Sequence, residues 1–267
     1  MTWWQALALG VLQGVTEFLP VSSSGHLALA QMGFNRLGVP FDQPGVVFDA
    51  VLHLGTAAAV VWAERRQLRR WLGSGDGPRL ALLLIAGTLA TAAVAFPLRA
   101  SATAAFENVA LVGACLVVTG VVVLATRVLG GGRGAEETTS WRQACAVGLI
   151  QGLAVFPGIS RSGATITAGL GVGLDREWAA RFSFLLSVPA IAGATLAELI
   201  SERQALVGGG QGFWIGALIG CIAAGLSGYL ALRLVIRTVT SRHFHLFAWY
   251  TIPVGLVVLI GSLVAAP

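Results

Sequence analysis

Two stretches of this chain interrupt long apolar runs with proline, glycine and serine, and they are copies of one another. The first is Gln13-Gly-Val-Thr-Glu17-Phe-Leu-Pro-Val-Ser-Ser-Ser-Gly-His26; the second is Gln151-Gly-Leu-Ala-Val-Phe-Pro-Gly-Ile-Ser-Arg161-Ser-Gly163. The shift of 138 positions that takes Gln13 to Gln151 also takes Phe18 to Phe156, Ser22 to Ser160, Ser24 to Ser162 and Gly25 to Gly163, without a gap. One continuous helix is not expected through Pro20 and Ser22–Gly25, and Pro157-Gly158 is a stronger break still. A helix broken at membrane depth leaves N–H groups that protein, water or ligand must satisfy. The pattern therefore predicts hairpins over 3–34 and 141–173 that dip into the membrane and return. Interrupted segments at matching places in two halves point to a site near the bilayer middle.

The membrane itself follows from composition. Of 267 residues, 56% are hydrophobic and 11% charged, whereas a globular domain carries about 25% charged residues. The mean hydropathy is +0.80. A soluble domain of this length needs a polar surface, and this chain lacks the residues to make one. Arginine supplies all 17 basic residues and the net charge is +5. The arginines sit in short clusters between apolar runs, which argues for membrane topology and against a nucleic-acid partner. Cys115, Cys145 and Cys221 form no CxxC pair, so neither a metal knuckle nor a redox centre is indicated. The N-terminal apolar run lacks a basic leader and passes straight into the Glu17 motif, so a cleaved signal peptide is not expected.

Six segments read as membrane-spanning helices, roughly 46–63, 80–98, 107–129, 178–199, 212–235 and 247–264. The expected fold is an all-α polytopic membrane protein: six transmembrane helices plus two re-entrant helix hairpins, arranged as an inverted-topology repeat. It forms one integral membrane domain over 1–267, with repeats of approximately 1–129 and 139–264. Phe48-Asp-Ala-Val-Leu-His53-Leu-Gly resembles Phe182-Ser183-Phe-Leu-Leu-Ser-Val-Pro189 and pairs the first span with the fourth. In this topology thirteen arginines, from Arg65 to Arg79, at Arg127, Arg133, Arg142, Arg176 and Arg181, and from Arg233 to Arg242, fall on one face. Arg36, Arg99 and Arg203 fall on the other. The positive-inside rule makes the rich face cytoplasmic and leaves both termini outside.

The two motif copies differ in chemistry. Glu17 and His26 belong to the first; Val155 and Ala164 take their places in the second, which instead sets Arg161 opposite Ser23. Two tips, one rich in acid and base and one cationic, suggest a composite site for an anion. Glu17 is a carboxylate in an apolar run, suited to acid/base work, metal ligation or orientation of His26, with an ion pair inside the bundle as the plain alternative. Gln13 stands one turn before it and shares its face. Ser22, Ser23 and Ser24, with Gly25, stand where a helix should start; Ser22 or Ser23 suits a cap, and the N–H groups there suit a phosphate. His26 suits a nucleophile or general base, or a hydrogen-bonded packing role. Arg161 offers a fork for two phosphate oxygens, with Ser160, Ser162, Gly163 and Thr165 around it. An Arg161–Glu17 salt bridge across the repeat interface is compatible with that role. Asp49 and His53 lie four residues apart on the first span and, with Glu17, make metal binding conceivable; capping of the span is the alternative for Asp49. An anion transporter or a flippase for a lipid-linked anion is the rival class, since inverted repeats and broken helices are transporter architecture.

Across its whole length the chain resembles the bacterial undecaprenyl-pyrophosphate phosphatases of the bacitracin-resistance type. The motifs that carry the likeness are Gln13-x-x-x-Glu17 with Phe-Leu-Pro-Val-Ser-Ser-Ser-Gly-His26, Pro157-Gly-Ile-Ser-Arg161-Ser-Gly-Ala-Thr-Ile166, and Phe182-Ser183-Phe-Leu-Leu-Ser-Val-Pro189. The resemblance implies hydrolysis of undecaprenyl pyrophosphate to the monophosphate carrier and inorganic phosphate, which recycles the lipid for peptidoglycan and other envelope polymers. It implies catalytic roles for Glu17, Ser22, Ser23, His26 and Arg161, and a divalent cation, Mg2+ or Ca2+, near Glu17 and Gln13. Many members have a glutamate where Gln13 stands, so acid/base work here falls mainly on Glu17. Ser23, His26 and water remain alternative nucleophiles. The resemblance further implies a bacterial inner-membrane location among membrane lipids, a site opening to the outer face, and a homodimer.

Overall fold

The computed structural model describes residues 2–36, 45–75, 77–202 and 210–264. Ten α-helices account for nearly all of them: α1 Trp3–Phe18, α2 Ser23–Arg36, α3 Gly45–Ser74, α4 Gly77–Ala105, α5 Val109–Ala125, α6 Trp141–Leu153, α7 Arg161–Gly171, α8 Arg176–Ser201, α9 Gln211–Thr240 and α10 Ala248–Val264. A 3-10 turn, Phe244–Phe247, leads into α10. The chain is an all-α polytopic membrane protein. Among the described residues, five stretches are long and apolar enough to cross a bilayer: Val47–Gly73, Gly77–Ala105, Arg176–Ser201, Gln211–Thr240 and Phe244–Val264. The segment expected over 107–129 is the shorter helix α5, 17 residues capped by the Asn108 side chain, which accepts from Leu111 N at 3.0 Å. At 1.5 Å per residue it still covers roughly 25 Å.

The helices overrun several expected boundaries. The arginine-bearing stretch after residue 63, beyond the expected span, continues α3 to Ser74, because Arg, Gln, Leu and Trp carry no break signal before Gly73. Pro97, Pro189 and Pro253 sit inside α4, α8 and α10, as membrane helices permit.

Packing pairs one half of the chain with the other. α1 lies along α9, and α6, its counterpart in the second half, lies along α4; α5 packs on α10, and α3 on α8. Small residues set the approach, as expected where lipid supplies no hydrophobic drive between helices. A Cβ added at Gly10 would lie 2.3 Å from Gly220 O, and one added at Gly148 would lie 2.1 Å from Gly87 O. Gly113 and Gly255 make the same contact reciprocally between α5 and α10. The central core gathers Phe18, Val60, Val123, Ile166, Phe182, Phe184 and Leu232, with Phe18 and Phe184 edge to face at 5.4 Å.

The loops after α3, α5 and α7 and the end of α9 meet at one end. Arg79 donates to the carbonyls of Glu136 and Thr139, Arg176 to those of Thr126, Leu129 and Val239, and Arg181 pairs with Glu64 at 2.5 Å and Glu177 at 2.9 Å. This end carries the arginine-rich segments that the sequence groups on one face. Of the three arginines assigned to the other face, Arg203 and the Arg36 side chain lie outside the described residues.

Candidate active site

Both motif copies are helix breaks, and the breaks touch. α1 stops at Phe18, ahead of Pro20, and the chain reverses through Ser22, whose φ of 69° is left-handed. Its Oγ accepts from Gly25 N at 3.3 Å and so caps α2. The second break turns at Gly158, φ 97°, and Ser160 caps α7 by accepting from Gly163 N at 3.1 Å. Each capping hydroxyl also meets a serine two residues on: Ser22 with Ser24 at 3.3 Å, Ser160 with Ser162 at 3.2 Å. Gly158 N then donates to Ser22 Oγ at 3.1 Å, and Ser162 Oγ donates to Leu19 O at 3.2 Å. Outer helices brace the breaks in matching fashion. Thr119 of α5 donates to Gly158 O at 2.7 Å, and Thr251 of α10 donates to Pro20 O at 3.4 Å.

Glu17 is the hub where the tips join. Its Oε1 accepts from Arg161 Nη2 at 2.6 Å. Its Oε2 accepts from Ser23 Oγ at 2.6 Å and Gln13 Nε2 at 3.0 Å, with His53 Nε2 3.7 Å away. Glu17 and Gln13 are buried, and a buried carboxylate requires this density of partners. Two atoms beside the hub have none: Arg161 Nη1 and Gln13 Oε1 are buried and unbonded among the described residues. A donor and an acceptor left open at a buried ion pair are groups that a ligand can complete.

His26 stands one turn into α2. Its Nδ1 lies 2.8 Å from Ser22 O and its Nε2 lies 2.8 Å from the Tyr250 hydroxyl, with the two rings stacked at 5.7 Å. Ser23 therefore meets Glu17, while the outward nitrogen of His26 meets Tyr250. Tyr250 was not among the residues singled out from sequence: it follows a tryptophan in an apolar helix and has no motif around it. Only the contact between α10 and the first break brings it to His26.

The remaining expected residues divide. His53 reaches Glu17, and its Nδ1 lies 2.8 Å from the Asp49 carbonyl oxygen. Asp49 is one turn inside α3, which begins at Gly45, so it is not the cap of that span; its Oδ1 is buried without a partner among the described residues. Ser160, Ser162, Thr165 and Ser183 are buried and bonded to protein atoms, Thr165 Oγ1 to Ser183 Oγ at 2.5 Å and to Arg161 O at 2.7 Å. They shape the Arg161 tip from behind. Gly25 and Gly163 let the tips close: an added Cβ would meet Gly158 Cα at 3.3 Å and Pro20 Cβ at 3.2 Å respectively. Among the described residues, no group of three His, Cys, Asp or Glu side chains forms a metal cage.

A family model described as bacitracin resistance protein BacA matches residues 6–257. The chain is 41% identical to a protein named undecaprenyl-diphosphatase from Desulforapulum autotrophicum, covering 99% of this chain and 100% of that one. A protein of the same name from Desulfosudis oleivorans is 42% identical, covering 96% and 97%. One from Methanosphaera stadtmanae is 36% identical, covering 97% and 98%.

Proposed function

The chain belongs to the bacitracin resistance protein BacA family, and on that premise we propose that it hydrolyses undecaprenyl pyrophosphate to undecaprenyl monophosphate and inorganic phosphate. The observation that carries the reading is the Glu17–Arg161 pair at the junction of the two helix breaks, with Arg161 Nη1 buried and open.

Arg161 presents its unbonded amine, at the positive end of α7, to an oxygen of the terminal phosphate. Glu17 holds the guanidinium in place and accepts the Ser23 proton in a hydrogen bond. Two attacking groups fit. Ser23 is already paired with a carboxylate base, and His26 has its Nδ1 fixed on a carbonyl, so that Nε2, which meets the Tyr250 hydroxyl, is the nitrogen whose lone pair can act. In either case the nucleophile bonds to the terminal phosphorus and the bridging oxygen leaves with the monophosphate. Water then releases inorganic phosphate. Arg161 and the helix ends offset charge on the transferred oxygens.

A divalent cation, Mg2+ or Ca2+, fits the same place. Gln13 Oε1 is an oxygen without a partner, Glu17 is the carboxylate beside it, and a site of this kind draws its other ligands from substrate phosphates and water. When bound, the ion would neutralise diphosphate charge.

The finer topology is part of the proposal. The cross-pairing of α1 with α9 and α6 with α4, and the equivalent braces from Thr119 and Thr251, support an inverted repeat. The gathering of arginine-rich loops at one end supports a cytoplasmic end there, with both termini and the headgroup site toward the outside of a bacterial inner membrane. We extend the family's homodimer to this chain on resemblance alone; cross-linking in native membranes tests it.

The deciding experiment measures phosphate release from undecaprenyl pyrophosphate by purified protein, with Mg2+, with Ca2+ and with chelator. Release that is lost in Glu17→Gln and Arg161→Ala supports the reading. Undiminished release by both variants sinks the site, and no release by the wild type under any condition favours an anion carrier.

A further inference from the structure

The imidazole of His26 is held at both nitrogens. A carbonyl oxygen can only accept, so the Ser22 O contact at 2.8 Å puts the ring proton on Nδ1. In the neutral ring Nε2 then carries the lone pair, and the Tyr250 hydroxyl 2.8 Å away donates to it. The rings stack, inclined by 19°, which fixes the plane of the imidazole as well as its tautomer.

The placement of Tyr250 is set independently of that bond. The next residue, Thr251, donates to Pro20 O at the first helix break, and α10 is seated on α5 through Gly113 and Gly255. The backbone that carries the phenol is thus anchored to the same turn that starts α2. The equivalent brace in the other half is Thr119, on Gly158 O, and the residue before it is Val118, exposed on the helix surface. The phenol therefore occurs only in the half-site that has a histidine to meet.

We propose that Tyr250 is the positioning residue for His26: its hydroxyl holds the ring correctly turned in the tautomer with the proton on Nδ1, and yields Nε2 when the diphosphate arrives. The inference rests on the reading that His26 acts on the terminal phosphate. It adds a residue from the last helix to a site otherwise built from the two re-entrant tips.

A double-mutant cycle on phosphate release tests it, using wild type, Tyr250→Phe, His26→Ala and the pair. Tyr250→Phe keeps the stacked ring and removes only the hydroxyl, and a neutral hydrogen bond of this kind is expected to be worth about three- to tenfold in kcat, with little change in KM. In the His26→Ala background the same substitution should change nothing further, because its effect passes through the imidazole. A Tyr250→Phe variant equal to wild type, or one equally impaired in both backgrounds, overturns the proposal. Wild-type turnover by His26→Ala overturns the underlying reading instead. A measurement free of turnover runs beside it: 15N spectra of the four histidines, with His26 assigned by its loss in His26→Ala. The Nε2 resonance of His26 should have the character of an unprotonated nitrogen and move in Tyr250→Phe; a resonance that does not move also overturns the proposal.

Discussion

Glu17 has both oxygens engaged, by Arg161 on one side and by Ser23 and Gln13 on the other, and this makes the substitutions around it separable. Arg161→Lys keeps the charge beside Glu17 but not the fork, so no second amine is left for phosphate. The loss of one charge-assisted hydrogen bond should lower kcat/KM by roughly 10- to 150-fold, measured on undecaprenyl pyrophosphate; a rate near wild type would show that Nη1 does not touch substrate. Ser22 behaves differently. Its hydroxyl accepts N–H bonds from both tips, so Ser22→Ala leaves the Gly158 N–H buried without a partner. We expect a loss of about 1–3 kcal/mol in stability, read as a lowered unfolding midpoint in detergent. An unchanged midpoint with abolished turnover would instead give Ser22 a chemical role. At this scale much was legible. Glu17, Gln13 and Arg161 stand out as polar groups in apolar runs; spacing puts Gln13 beside Glu17, and the Arg161–Glu17 pair is the alternative that the structure forms. Tyr250 was illegible, since an aromatic residue in a membrane helix is ordinarily packing or interface, and its bond to His26 spans 224 positions.

Between helices, the approach is governed by what the contact leaves no room for. α6 crosses α4 where Gly148 meets the Gly87 backbone. Gly148→Val forces those backbones apart and should cost about 1–3 kcal/mol or more through overpacking, with a matching loss of folded protein in a thermal scan. Gly261→Val, on α10 where none of the described residues lies within 4 Å of an added Cβ, should leave the midpoint near wild type. Equal effects at the two positions would refute close packing as the reason for Gly148. Helix existence was legible here and helix ends were not. Hydropathy marks where a segment leaves the bilayer, yet α3 and α9 continue past that point because their arginine-bearing turns remain good helix.

For the molecule as a whole, the arginine-rich loops collect at one end, and sidedness follows if that end is cytoplasmic. With the three native cysteines replaced, a membrane-impermeant thiol reagent should label Thr2→Cys in intact cells and Arg133→Cys only after permeabilisation. The reverse pattern would invert the topology. By itself the sequence determined the membrane class, the helical segments, the two breaks and the residue types at each, because hydropathy, proline and duplication are properties of the chain read in order. Only the tertiary structure decided which atoms meet. It put Ser23 on Glu17 and Tyr250 on His26, used Ser22 and Ser162 to lock the tips, and turned Ser160, Thr165 and Ser183 inward to brace Arg161. The physical reason is that a hydroxyl suits a cap, a brace or a reacting group equally well. Which role it takes depends on the nearest donor or acceptor, and for Ser22, Ser162 and Tyr250 that partner comes from the other half of the chain.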